Sequence, residues 1–533
     1  MFISVEMAGL NPSYRTLLQE YPLMPLDPEP CPTDPNSFSN SHQIVTLHSH
    51  LDWTADFAKQ ILTGAVTHKL QIVSATKFLI LDTSYLDIHS VKNEAGSALE
   101  YELATHHPKF GQALIIQLGS NVAVDELLSV TITYSTTSKC SAIQWLAPEQ
   151  TAGKEHPYMF TQCQAIHARS ILPCQDTPGV KITYSATVTA PDGLRALMSA
   201  LHDESNPLGK PFKFYQPVKI PSYLIALAIG NIVGERVGPR STVWSEPQVI
   251  KAAAWEFADT ELFIKTGEDL LTPYEWGVYD LLLLPASFPY GGMENPCLTF
   301  VTPSLLAKDR SLVDVVAHEI AHSWMGNLVT TQNWEHFWLN EGFTVFIERK
   351  IIGRLHGSAT LNLNAIIGLG ALQESVDGFV KSSHPEYTCL CPNLHNQDPD
   401  DAFSSVPYEK GFNLLFYLEQ LLGGPQLFEP YLKSHVKKFA HSAITTADFK
   451  SHLYEFFESS RDVLESVDWE GWFHKPGMPL VTNHFDDSLA VASRALANRY
   501  TSLMQMEHLP RQQTRHYSHR IRTVQLEPKS HVF

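Results

Sequence analysis

The sequence predicts an α+β chain of several domains, with a β-rich N-terminal part followed by a mostly helical region. Three observations carry this. At 533 residues the chain is long enough for three or four domains, taking roughly 150 residues each. Between residues 44 and 230 the pattern is short and alternating: Leu128, Val130, Ile132 and Tyr134 interleave with Ser129, Thr131 and Thr133. A period of two puts one set on a buried sheet face and the other towards water. Beyond residue 235 apolar residues recur at helical spacing instead.

Residues 1–42 are rich in Pro, Ser and Asn and lack periodicity, which predicts an irregular extension. From 43 to 232 the strand stretches 78–81, 114–118 and 128–134 are punctuated by turn signals at 93–96, 119–121 and 191–193. This predicts an antiparallel β saddle or sandwich. His48 and His50 share a strand face and read as solvated rather than as a metal pair. The region 233–474 has helical patterns over 256–271, 311–327, 340–355, 409–422, 426–439 and 446–459. Ser311 followed by Asp314 reads as a capping box, Gly423-Gly424-Pro425 as a stop and restart, and Thr445-Thr446 as a cap. A linker at 475–486 leads to a short C-terminal segment, 487–533. It starts with an amphipathic helix over 487–500 and ends in a basic, poorly periodic tail.

Composition narrows the partners. The formal charge is −18, and no basic stripe offsets it, so nucleic acid is not expected as a partner. A negative surface does suit peptides with a free amine. No window of eighteen apolar residues predicts a membrane span. The first fifteen residues lack a basic stretch followed by an apolar one, so no secretory signal is expected. Seven cysteines, an odd number, suit reduced thiols and a cytoplasmic location, and a monomer is expected. Cys389 and Cys391 have no matching pair nearby and do not read as a metal clip.

The chemistry concentrates in residues 316–348, VAHEIAHSWMGNLVTTQNWEHFWLNEGFTVFIE. His318 and His322 are four apart, so a helix points both imidazoles the same way, about one turn apart. Glu319 lies about 100° round from His318, where a general base for water activated by a metal belongs. Glu341, separated from His322 by eighteen residues, opens a second helix and can return as a third ligand. Two His and one Glu leave a fourth zinc position open, the arrangement of a catalytic site. One zinc per chain is expected. Glu348 lies seven residues after Glu341 on nearly the same helix face. It reads either as a carboxylate orienting an imidazole or as a salt-bridge partner of Arg349 or Lys350.

Upstream lies Pro289-Tyr290-Gly291-Gly292-Met293-Glu294-Asn295-Pro296, whose two glycines permit close backbone approach to a ligand. The combination G-[GA]-M-E-N before H-E-x-x-H-x18-E resembles the gluzincin aminopeptidases. The stretches 162–165, 172–178, 337–342 and 404–411 are similar to their leukotriene A4 hydrolase branch, nearly collinearly from about residue 43 to 500. The resemblance implies a thermolysin-like catalytic domain and a zinc aminopeptidase acting on short peptides with a free N-terminus. It also implies an epoxide hydrolase activity converting leukotriene A4 to leukotriene B4. It implies that Glu294 holds the substrate's α-amine and that Tyr290, Gly291, Gly292 and Met293 offer their edge to the peptide, which joins as an added strand. Gln162 and Gln164, otherwise ordinary strand polars, then lie on the active-site wall. Tyr408 becomes the phenol donor to the oxyanion, and Asp400 the acid that serves the epoxide and basic N-terminal side chains.

Two departures from that pattern bear on the expectation. Phe403 stands where the leukotriene hydrolases typically have tyrosine. The resemblance also ends near residue 500, where the family has a helical solenoid carrying an arginine for the substrate carboxylate. The sequence therefore reads as a C-terminally shortened form in which lipid hydrolysis suffers more than peptide cleavage. The rival reading is a catalytically weak form that binds or competes.

Overall fold

The period-two stretch around Ile132 is the strand Leu127–Thr136, second from one edge of a seven-stranded sheet. Val130, Ile132 and Tyr134 are buried, and Thr131 and Thr133 are half-buried, as the alternation requires. The computed structural model describes residues 29–203 and 211–505. In it the sheet runs Leu201–His202, Phe212–Pro221, Lys181–Thr189, Ile44–Asp56, Ile61–Ile72, Leu127–Thr136 and Leu86–Asn93. The expectation of a purely antiparallel sheet needs one correction. Ile44–Asp56 pairs in parallel with Lys181–Thr189, because the long intervening chain returns to the same end of the sheet. Smaller antiparallel sheets of three and four strands complete the N-terminal part.

The expected turn at 119–121 does not end a strand. Gly119, at φ 91°, sits within Gln112–Val122, opposite an irregularity between Thr76 and Phe78. His48 bonds Thr183 and Ser185 across the parallel pair and His50 bonds Ser185, so both are satisfied by hydroxyls.

Residues 29–42 form no helix or strand of two or more residues, yet they pack into the fold rather than extending from it. Asn36, Ser37 and Ser39 are buried. The Asn36 amide donates to the Leu394 and Gln397 carbonyls, and Ser37 and the Phe38 amide donate to Asp82. Beneath them the buried Arg169 pairs with Asp176 at 2.9 Å and donates to the Asn36 carbonyl. Removing one partner of such a pair typically costs about 3–5 kcal/mol, because the other charge stays buried. Residues 1–28 and the basic tail at 506–533 lie outside the described residues.

The catalytic region begins with a mixed sheet in the order Val233–Arg236, Thr242–Ser245, Asp280–Leu283, Leu298–Val301, Gly292–Met293. Its last strand is an edge, held antiparallel to Leu298–Val301. Helices α1 (Ile250–Glu256), α2 (Thr260–Leu270), α3 (Asp314–Ala321), α4 (Trp338–His356) and α5 (Ser358–Lys381) follow. Then come α6 (Gly411–Leu421), α7 (Pro425–Phe439) and α8 (Thr446–Phe456). Short helices Arg461–Glu465 and Trp469–His474, and the longer Ser488–Gln505, end the described chain.

Helices α1 and α5 are absent from the pattern-based expectation, and the helix expected over 256–271 is α2, which starts four residues later, after α1 ends at Glu256. Ser311 does not cap α3. The helix starts at Asp314 after Val313, and no side chain caps it. Thr445 does cap α8, accepting from the Asp448 amide while Asp448 accepts from its own. One cluster of buried apolar side chains runs from Ile44 to Phe473 across both parts. The edge-to-face pair Phe160–Phe288, with centroids 5.9 Å apart, is one of its links.

Candidate active site

Helix α3 is short and buried on its Val316, Ala317, Ile320 and Ala321 side, packed against α2 and α4. The close approach of α2 depends on Gly267, where a Cβ would lie 2.9 Å from the Trp324 ring. The chain leaves α3 at His322 and turns at Gly326, whose φ is 113°. That turn brings the Met325 carbonyl to 2.9 Å from His322 Nδ1. The expected helix over 311–327 is thus only its middle, and its early end is what orients His322.

Both rings are fixed from outside. A carbonyl only accepts, so His322 Nδ1 carries a proton and donates to Met325, with Thr344 Oγ1 at 3.1 Å. Glu348 Oε2 lies 2.8 Å from His318 Nδ1, which likewise donates. The alternative salt bridges for Glu348 are taken by others: Arg349 holds Glu409, and Lys350 holds Glu419 and Glu429. The two Nε2 atoms therefore turn lone pairs inward, 3.1 Å apart. Glu341 Oε2 completes the triangle, 3.3 Å from His322 Nε2 and 3.6 Å from His318 Nε2. Ligands on a tetrahedral zinc at about 2.0–2.1 Å stand about 3.3 Å apart. The three distances match those edges. Glu341 Oε2 is buried with no hydrogen-bond donor, as a ligand atom facing a cation would be. The donor set fits a zinc ion.

Glu319 and Glu294 face the same point, and with His322 their ligating atoms form a second tight group. Both are buried, and Glu319 Oε2 and Glu294 Oε1 have no partner. In the protein alone, burial pushes Glu319 up to about 8 and raises Glu294, the two imidazoles only partly offsetting it. Burial acts on Glu341 too, but His322 and His318 outweigh it and hold its carboxyl at about 2. Gly292 packs directly on the Glu319 carboxylate, where a Cβ would lie 2.3 Å from Oε1. Gly291 has more room, a Cβ there meeting Val315 at 3.6 Å.

Tyr408 enters from the π-helical turn Val406–Lys410, and its ring stacks on His318 with centroids 6.0 Å apart. Such turns often mark functional sites. Burial, with Glu341, Glu294 and Glu319 nearby, pushes its phenol well above its usual value, so it remains a donor. Gly342 and Gly411 let this turn sit against α4. A Cβ on Gly342 would lie 2.8 Å from Gly411 Cα.

A cavity opens beside the cluster, lined by Gln164, Tyr290, Phe337, Asp400, Phe403 and Pro407 among others. The Gln162 amide donates to Met293 Sδ at 3.1 Å, leaving its Oε1 unpaired, and Gln164 Nε2 is buried without an acceptor. Phe403 stacks edge-on against Tyr290 and Tyr408, with centroids 5.9 and 6.2 Å away.

Sequence reasoning missed three supports. Asn327 Nδ2 donates to the Glu294 carbonyl at 2.7 Å, Thr344 backs His322, and His167 bonds Asp400. Thr344 lies three residues after Glu341 on α4 and could have been found by helical spacing. The other two contacts join distant segments that no local pattern connects.

Models of the peptidase M1 N-terminal domain and the peptidase family M1 domain match residues 44–224 and 255–472. The chain belongs to peptidase family M1. Leukotriene A-4 hydrolase of Xenopus laevis is 50% identical over 473 residues, covering 88% of this chain and 77% of that protein. Leucine aminopeptidase 2 of Emericella nidulans is 46% identical over 481 residues, with 88% and 77% covered. The structure of yeast LTA4 hydrolase with bestatin is similar at TM-score 0.84 and 43% identity, covering 93% of this chain and 76% of that one. M1 membership makes this chain a hydrolytic enzyme of the gluzincin type, a group that uses zinc. Among the described residues no helix is long and apolar enough to cross a membrane.

Proposed function

We propose that the chain is a zinc aminopeptidase that releases N-terminal residues from short peptides in the cytoplasm. The observation that carries this reading is the pair of buried carboxylates, Glu319 and Glu294, converging on the His318–His322–Glu341 triangle. One acid suits proton transfer and the other suits an ammonium group. Zinc held by His318, His322 and Glu341 supplies a Lewis acid for the scissile carbonyl and makes water acidic enough to react near neutrality.

Glu319, whose Oε2 has no partner, takes a proton from the attacking water and returns one to the leaving amine. Tyr408, held protonated, donates to the oxyanion that develops on the scissile carbonyl. Glu294 anchors the substrate's α-amine, which limits cleavage to one residue from the end. The edge strand Gly292–Met293 offers unpaired backbone groups to an extended peptide. Gln162 Oε1 and Gln164 Nε2, both without a partner, are there to take substrate polar groups.

The same site is proposed to accept leukotriene A4 as a second substrate. The aromatic lining from Tyr290, Phe337 and Phe403 supports this, as does the 50% identity to a leukotriene A-4 hydrolase.

The amine anchor is tested by comparing a free peptide with its N-acetylated form. The wild type should cleave only the free peptide, and Glu294→Ala should lose most of that cleavage. Equal cleavage of both forms by the wild type removes Glu294 from its role.

A further inference from the structure

Asp400 has a partner that no sequence spacing links to it. The turn Pro399–Ala402 sets its half-exposed carboxylate on the cavity rim. There Oδ2 lies 2.8 Å from Nε2 of His167. The other ring nitrogen, Nδ1, is 2.7 Å from Ser141 Oγ. His167 is three residues beyond Gln164, on the same wall. A hydroxyl accepts or donates, whereas a carboxylate only accepts. The neutral ring therefore donates to Asp400 and accepts from Ser141, and the imidazolium donates to both. Either charge state is satisfied without moving the ring.

We propose that His167 is a specificity-determining positioning residue. Its charge decides whether the rim presents a neutral pair or a free negative charge to the side chain of the substrate's first residue. Preference for a cationic first residue over a neutral one of equal shape then rises as His167 loses its proton. The inference rests on the reading of Asp400 as an acid that meets the substrate.

The surroundings favour the imidazolium. The carboxylates acting on the ring are Asp400 in the 399–402 turn, Asp398 at that turn's N-cap, and Asp176. Asp176 is held by Arg169 at 2.9 Å, and the neighbouring Asp401 by Lys109 at 3.6 Å. Burial opposes the imidazolium, but Asp400 with Asp176 and Asp398 outweighs it and raises His167 above its ordinary value. Below that value the His167–Asp400 pair is neutral. Above it, one negative charge is left for the substrate.

The test is kcat/KM for an arginyl and a citrullinyl dipeptide, taken as a ratio from pH 6 to 9.5. The two side chains are nearly isosteric, arginine stays cationic throughout, and the α-amines titrate alike, so their effect cancels. In the wild type the ratio should rise about two- to fivefold with pH, the size of an exposed charge pair. His167→Gln should give a ratio that does not change with pH, and Asp400→Asn a ratio near one at every pH. A wild-type ratio flat with pH, or a slope surviving in His167→Gln, overturns the inference even where Asp400→Asn lowers the ratio. An unchanged ratio in Asp400→Asn overturns the reading of Asp400 itself. Should His167→Gln fail to fold, the NMR titration of His167 decides instead. Its pKa should fall in Asp400→Asn, and an unshifted titration refutes the pairing.

Discussion

Gly292→Ala tests how tightly the base is held. Gly292 has an ordinary negative-φ or extended backbone, so alanine is tolerated by the chain itself. Its added Cβ would lie 2.3 Å from Oε1, 2.6 Å from Cδ and 2.7 Å from Cγ of Glu319. All three nearest atoms belong to that one side chain. Van der Waals contact of this kind starts at 3.4 Å, so the carboxylate must retreat by about 1 Å. A displacement of that size costs about 100-fold in rate, or about 2.7 kcal/mol in the barrier. None of the three nearest atoms belongs to His318, His322 or Glu341. The variant should therefore keep one zinc per chain and lose about 100-fold in kcat for an aminoacyl substrate. Activity within threefold of wild type in zinc-loaded protein would refute the claim that this glycine exists to leave room for the base.

Other outcomes follow from the supports of the site. Glu348→Gln removes the charge behind His318 and should weaken zinc binding about 10–100-fold in a chelator competition. An affinity within twofold of wild type would count against that role. Gly342→Ala would place a Cβ 2.8 Å from Gly411 Cα and 3.1 Å from the Pro407 carbonyl, all backbone atoms that cannot yield cheaply. It should cost about 1–3 kcal/mol of stability, read as a lowered Tm. An unchanged Tm would show that the α4–α6 contact gives more freely than its geometry indicates.

How much was legible depended on how local each feature is. The His318–His322 spacing is read directly because one helix fixes both rings, and Glu348 followed from helical spacing after Glu341. The extent of α3 was not, because Ser311 and Asp314 mimic a capping box while the chain enters the helix at Val313. Helix α5 carries Gly368, Gly370 and Gly378, residues that lower helix propensity and blur its pattern. Gly368 is needed where Arg349 and Glu409 pass, since a Cβ would lie 2.2 Å from Glu409 Oε2. Residues 29–42 lack periodicity because side chains such as Asn36 order them through bonds to residues some 360 positions away. The His167–Asp400 contact spans 233 positions and is a product of the tertiary fold alone.

The central claim is that a zinc site and a separate base share one buried cluster. The most direct measurement is zinc content and peptide hydrolysis in wild type and Glu319→Gln side by side. The wild type should hold one zinc per chain and release the first residue of a free peptide. Glu319→Gln should hold the same zinc and hydrolyse about 10²–10⁴-fold more slowly. Zinc lost from Glu319→Gln, or hydrolysis by it at the wild-type rate, would contradict the account.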